Sequence, residues 1–365
     1  MKMGVWIDFL KQQEDPRLFS AHMISSRPVA VNGTRRHSDF RLPGAAYRHA
    51  IILPPMAPQN VEKNQHDQPV ASPQKVSLGL VQMHCGEDPQ ENVQHSIDHI
   101  RKAAARGARV ICLQELFRSP YFCQEENTRF FDLAESIPGP TTKQLGQIAQ
   151  ELQVVIVASL FEKRTSGLYH NCAVVIDVHG QVTGKYRKMH IPDDPYYYEK
   201  FYFTPGDLGF QSHPTPYGEL GVLVCWDQWF PEAARLTALK GAQLILYPTA
   251  IGWLEGSSEE ENQAQQSAWE TVQRGHAITN GVFLAAVNRV GREGKLNFWG
   301  QSFVCDPFGR VLAKASAEEE EILVVECDLA QIEETRRNWP FWRDRRIDAY
   351  QGLNLRFLDE VPDSE

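Results

Sequence analysis

Glu115, Lys188 and Cys225 are the residues whose types and settings could do covalent chemistry: a carboxylate, an ammonium and a thiol. Cys225 ends an apolar run in GVLVCWDQWFPEAAR and stands just ahead of the Phe230-Pro231 helix entry. A strand that turns there can expose a side chain at the edge of a sheet. A thiol acts as a nucleophile only beside a base or a positive charge that favours the thiolate, and free cysteine is otherwise an ordinary core residue. Glu115, in VICLQELFRSPYF, sits where a short buried strand emerges into a loop. That is a common station for a catalytic carboxylate and equally for a solvated one. Lys188, in GKYRKMHIPDDP, follows a strand-like segment and precedes an acidic, proline-restricted loop; taken singly it reads as a surface lysine.

The elements that must position these groups alternate between strand and helix. Val76 to Met83 alternates and is β-rich, and Val93, Ile97, Ile100 and Ala104 then recur at helical spacing. Gly107 closes that helix, and Ala108 to Leu113 reads as a buried strand leading to Glu115. A helix with Leu145, Ile148, Ala149 and Leu152 on one face precedes strands at Val154 to Leu160 and Cys172 to Val178, with a turn at His179-Gly180. Leu220 to Trp226 reads as the strand that carries Cys225, followed by a helix from Pro231 to Lys240 and a strand from Leu244 to Tyr247. A long helix around Gln265 to Ile278, a strand at Val282 to Val287 and a hairpin turning at Asp306-Pro307-Phe308-Gly309 complete the pattern. ARGARVICLQE and LKGAQLILYPT are weak internal echoes, each a helix end followed by a buried strand, and they suggest two halves around a pseudo-symmetric sheet system. An α/β or α+β protein of layered helices and sheets is expected over residues 75–355. The runs Glu259-Glu260-Glu261 and Glu318 to Glu321 read as solvated loops or helix ends.

Composition narrows the function classes. The chain has 365 residues, 42% hydrophobic and 23% charged, which excludes collagen-like and wholly disordered proteins. The 37 basic and 46 acidic residues give a formal net charge of −9, which argues against a broad nucleic-acid footprint. No apolar stretch is long enough to span a bilayer. The seven cysteines lack C-x-x-C spacing, so neither a disulfide framework nor a zinc ribbon is indicated, and a reducing cytoplasm is the simplest home. Residues 1–74 show no sustained period and no secretory signal and read as an appended, non-core arm; residues 356–365 read as a tail. His95 and His99, at i and i+4 on the first helix, could bind a metal, but no third ligand with plausible spacing appears, and a solvated helix face is expected.

The three motifs, with their flanks and in the chain order Glu, Lys, Cys, resemble the nitrilase superfamily of carbon–nitrogen hydrolases over Lys75 to Tyr350. The resemblance implies a four-layer αββα sandwich and a homo-oligomer. It also implies that Glu115 is the general base, that Lys188 steadies the oxyanion together with the backbone N–H of Trp226, and that Cys225 is the nucleophile. Glu199, in YYYEKFYFTPG, matches a second glutamate that the superfamily places near the lysine. No metal or organic cofactor is required by that chemistry.

QELFRSPYFCQ, HIPDDPYYYEKFYFTPGD, CWDQWFPEAAR and YPTAIGW resemble the branch that hydrolyses N-carbamoylputrescine. Asp193-Asp194 stand where relatives that take carbamoyl amino acids would need a cation, and two carboxylates suit an ammonium-bearing substrate. Candidates for holding that ammonium are Tyr121, Asp193, Asp194, Trp226, Asp227, Trp253 and Glu255, with Asp194 or Glu255 preferred. Other carbon–nitrogen hydrolase activities of the same fold, and a non-catalytic scaffold, are the alternatives. The basic and aromatic run from Arg336 to Arg346 looks like a nucleic-acid strip, but the resemblance implies that it packs against the body and a partner subunit.

Overall fold

The structure is a computed structural model that describes residues 75–358; the expected arm over residues 1–74 and the tail from residue 359 lie outside the described residues. Two six-stranded sheets dominate. In the first, the spatial order is Glu321–Asp328, Lys75–Gln82, Val110–Leu113, Val155–Thr165, Leu168–Ile176 and Val182–Arg187. In the second it is Val311–Lys314, Phe303–Cys305, Phe283–Val287, Leu244–Pro248, Gly218–Val222 and Ser212–Thr215.

Strand alternation sorts the side chains into layers. Leu78, Leu80, Val110, Cys112, Val155 and Val157 share one buried cluster with Leu244, Leu246, Phe283 and Val304 of the second sheet, so the two sheets face each other. The intervening residues Val81, Ile111, Leu113, Ile156 and Ala158 point the other way, against Val93, Ile97, Ile100, Leu145 and Ile148 of the helices Pro89–Ala105 and Pro140–Leu152. On the outer side of the second sheet lie the helices Pro231–Leu239 and Glu259–Asn280, which bury Ala233, Ala234, Trp269 and Ala277. The result is the expected order helix, sheet, sheet, helix, with both central strands of each half read correctly as continuous apolar runs.

Three expectations change. The strand before Cys225 ends at Val222, and Cys225–Trp229 is a 3-10 turn. Leu223 and Val224 are buried in the core without being in a strand, so the apolar run continued past the strand's end. A small three-stranded sheet of Gly252–Leu254, Leu296–Trp299 and Val290–Glu293 was not anticipated. Glu318 to Glu321 are not simply solvated: Glu321 opens the strand that pairs antiparallel with Lys75–Gln82, and the Glu320 carboxylate meets His95. Among the described residues no helix is long and apolar enough to cross a membrane. The basic run near the end is paired rather than free, with Arg336 stacked on Trp342 at 3.9 Å, Arg337 on Glu333, and Arg346 on Asp348.

Candidate active site

Glu115 lies two residues beyond the strand Val110–Leu113 and is fully buried. Its Oε1 accepts hydrogen bonds from Lys188 Nζ at 2.8 Å and Asn171 Nδ2 at 2.6 Å. Its Oε2 is buried and has no hydrogen-bond partner among the described residues. A buried carboxylate oxygen left without a donor costs free energy, and such an exception calls for an explanation. The loop that follows, with Leu116 at φ 49°, is held by Arg289, whose guanidinium donates to the carbonyls of Glu115 at 2.9 Å and Leu116 at 3.0 Å. Arg289 is itself buried and forked onto Glu293 at 2.8 and 2.9 Å.

Lys188 follows the strand Val182–Arg187 and, like Glu115, has no exposed surface. Its Nζ donates to Glu115 and, at 2.7 Å, to Glu199 Oε2. Burial alone would drive this ammonium toward neutrality, but the two carboxylates outweigh it and hold the Lys188 pKa well above its ordinary value. Glu199 opens the short helix Glu199–Tyr202, and its Oε1 accepts from Tyr121 Oη at 2.7 Å. Burial pushes the Glu199 carboxyl up to about 7, with Lys188 opposing and Glu115 reinforcing. One ammonium thus sits between two carboxylates, one of which is poised to hold a proton near neutrality.

Cys225 is tied to this cluster by consecutive carbonyls: Thr249 O accepts from Glu115 N at 3.4 Å, and Ala250 O lies 3.7 Å from Cys225 Sγ. Burial raises the thiol well above its ordinary pKa, Glu115 adds to this and Lys188 opposes it, so the resting sulfur is a thiol. The Cys225 backbone has φ 44°, in the left-handed region that costs a non-glycine residue on the order of 1–3 kcal/mol. Several contacts impose it. Asp227 Oδ2 accepts from Val224 N at 2.9 Å, and Gln228 is pinned by Trp269 Nε1 at 2.9 Å and by His276 at 2.9 Å. Asn288 clamps the facing loop through Ile251 N and O at 3.0 and 2.9 Å.

The structure brings Glu115, Lys188, Glu199, Tyr121 and Cys225 together, and it distributes the other candidates differently. Asp227 is buried beneath the turn with its oxygens engaged by Val224 N, Tyr186 Oη and His190, and so it holds the backbone ahead of Cys225. Glu255 is exposed and already flanked by Arg292 and Lys295. Asp193 is exposed; Asp194 is half-buried, and burial, with Asp193 adding, raises its carboxyl. Trp226 and Trp253 are half-buried, Trp226 beside Trp229 and Trp253 donating to Asn262 O at 3.2 Å. Asn171, Arg289 and Asn288 were missed. The available signal was a polar residue inside or directly after an apolar strand, in YHNCAVVI and FLAAVNR.

A buried carboxylate–ammonium–thiol cluster between two sheets of this topology defines a class. Residues 77–337 match the family described as carbon-nitrogen hydrolase, and the chain belongs to that family, within the nitrilase superfamily. It is a hydrolase of amide carbon–nitrogen bonds. The chain is similar to the N-carbamoylputrescine amidase of Oryza sativa subsp. japonica, 43% identical over 288 residues, which cover 76% of this chain and 94% of that relative. It is also similar to the citrullinase of Francisella tularensis subsp. tularensis, 38% identical over 283 residues and covering 76% of this chain and 98% of that one. Among solved structures, a carbon-nitrogen hydrolase from Helicobacter pylori G27 is 51% identical with a TM-score of 0.76, covering 78% of this chain and all of that one.

Proposed function

We propose that this protein hydrolyses N-carbamoylputrescine to putrescine, ammonia and carbon dioxide, with Cys225 as nucleophile and residues 75–355 as the catalytic domain. The observation that carries the chemistry is the unpartnered Oε2 of Glu115, in the cluster that also holds Cys225, while its other oxygen is locked by Lys188 and Asn171. As the sulfur attacks the ureido carbon, its proton passes to Glu115 and the carbonyl oxygen becomes an oxyanion facing Lys188 and the N–H of Trp226. Collapse breaks the bond to the terminal nitrogen, which takes the proton from Glu115 and leaves as ammonia. The S-carbamoyl enzyme is then attacked by water, which gives its proton to Glu115. Cleavage of the carbon–sulfur bond returns the thiol and frees a carbamate that loses carbon dioxide. Every proton in this cycle is carried by Glu115, and Glu199 and Tyr121 keep Lys188 aimed.

The substrate reading is supported by the named plant relative and by Asp193-Asp194 following the catalytic lysine, where an ammonium end would be favoured over a carboxylate. The protein is read as a cytoplasmic homo-oligomer. Its seven unpaired thiols support the compartment, and exposed Leu236, Leu239, Leu353, Leu355 and Phe357 support self-association. Ammonia release should be compared for N-carbamoylputrescine, citrulline, N-carbamoyl-β-alanine, N-carbamoyl-D-amino acids and simple amides. The highest kcat/KM is expected for the first; preference for a substrate bearing a carboxylate overturns the assignment.

A further inference from the structure

His95 and His99 were expected to form a solvated helix face, and the fold gives them a third partner. The antiparallel register that sets Gln82 opposite Glu321 places Glu320 beside the helix Pro89–Ala105. His95 Nε2 lies 2.8 and 3.0 Å from the two oxygens of Glu320, and His99 Nε2 lies 3.8 Å from Oε2. One donor atom from each of the three residues falls within 4.8 Å of the others. We propose that His95, His99 and Glu320 form a binding site for one divalent transition-metal ion such as Zn2+, fastening the first helix to the returning strand.

Two of the three ligands are held for the task by a backbone partner. His99 is buried, and its Nδ1 lies 2.9 Å from the backbone carbonyl of His95, so the ring hydrogen sits on Nδ1 and the lone pair of Nε2 faces Glu320. That backbone contact is the outer-shell device by which metal-bound histidines are oriented. Glu320 Oε1 accepts from His84 N at 3.0 Å, which fixes the carboxylate. Zinc bonds of about 2.0–2.2 Å in a tetrahedron separate ligand atoms by about 3.3–3.6 Å. With Oε2 of Glu320 as the ligand atom, the observed 3.0 Å to His95 and 3.8 Å to His99 bracket that spacing, so a small movement closes the site. On binding, His95 carries its hydrogen on Nδ1 instead of giving it to Glu320 from Nε2. Of the three, His95 also lines a cavity of about 740 Å³ with His84, Asp98 and Glu293, and His84 Nε2 lies 3.7 Å from the same carboxylate. Two histidines and a carboxylate with an open position suit zinc or a related ion and are a poor match for magnesium or calcium, which prefer all-oxygen shells.

The full-length protein, stripped with chelator and dialysed, is titrated with Zn2+ by calorimetry and with Co2+ by absorption. The expected result is one ion per chain, a melting temperature raised by saturating Zn2+, and cobalt visible bands without thiolate charge transfer. His95→Gln and Glu320→Gln, both at partly exposed positions, should each weaken binding at least tenfold while melting as a single folded species in chelator. No binding, binding unchanged in both variants, or a thiolate charge-transfer band that places the ion on a cysteine would each overturn the site.

Discussion

Asn171 Nδ2 donates to Glu115 Oε1 across 2.6 Å, and in doing so it decides which of the two carboxylate oxygens is free. With Lys188 on the same oxygen, Oε2 is left without a donor among the described residues. Asn171 lies within the strand Leu168–Ile176, so a rigid sheet, not a loop, orients the Glu115 carboxylate.

Replacing Asn171 by Ala frees the carboxylate to rotate. Because misplacement of a reacting group by about 1 Å costs about 100-fold, kcat for ammonia release should fall between about 10- and 100-fold with KM little changed. A KM effect without a kcat effect would assign Asn171 to substrate binding.

The resting thiol of Cys225 is held protonated by burial and by the charge of Glu115. Glu115→Gln removes the proton carrier and also part of what raises the thiol. Turnover should drop at least about 1,000-fold, consistent with losing both general acid and base. Labelling of Cys225 by iodoacetamide at neutral pH should be as fast or faster. Intact-mass kinetics against Cys225→Ala check this, and labelling that falls with turnover would mean that Glu115 activates the resting thiol.

Arg289 joins Glu293 to the backbone of the Glu115 loop inside the protein. Arg289→Met strands a buried carboxylate and should cost about 3–5 kcal/mol in denaturant unfolding. Adding Glu293→Leu should recover part of that loss, because the uncompensated charge is gone. No recovery would place the cost in the loop carbonyls instead.

Glu162 is buried between Arg187 and Lys185 at 2.7 and 2.9 Å. Burial raises its carboxyl, but the two cations win and bring it down to about 2 from 4.5. A depressed folded value means that the unfolded chain binds more protons in this window, so the contribution is complete above 4.5 and fades as pH falls toward about 2. Glu162→Gln should destabilise the protein at neutral pH and flatten the acid limb of its stability profile between those values.

Asp194→Asn should raise KM for N-carbamoylputrescine about tenfold or more, the scale of one lost charge-assisted contact, at nearly constant kcat. Glu255→Gln should leave KM unchanged, because Arg292 and Lys295 already neutralise it. Steady-state kinetics of both variants settle which carboxylate meets the ammonium.

What could be read along the chain was whatever depends on near neighbours. The strand Val110–Leu113, the helix Pro140–Leu152 and the emergence of Glu115 all follow from periodicity and local turn chemistry. The true end of the strand before Cys225 did not, because Leu223 and Val224 are apolar for the sake of the core and look the same in or out of a strand. Asn171, Arg289 and Glu320 were invisible for another reason: each acts on a residue far away in sequence, such as Arg289 on Glu115 and Glu320 on His95. Strand register, which no local pattern encodes, creates those meetings.

The returning strand Glu321–Asp328 also governs the order of assembly. Its side-chain contact from Lys75 to Glu326 spans 251 residues, so the first strand of the domain leaves the ribosome long before its neighbour exists. Until synthesis is nearly complete, one side of Lys75–Gln82 presents open hydrogen-bonding groups, an invitation to pair with another chain. Chains truncated before residue 321 should therefore be captured by chaperones or aggregate even though Glu115, Lys188 and Cys225 are all present. A late-arriving edge makes the domain's last strand the checkpoint for its first.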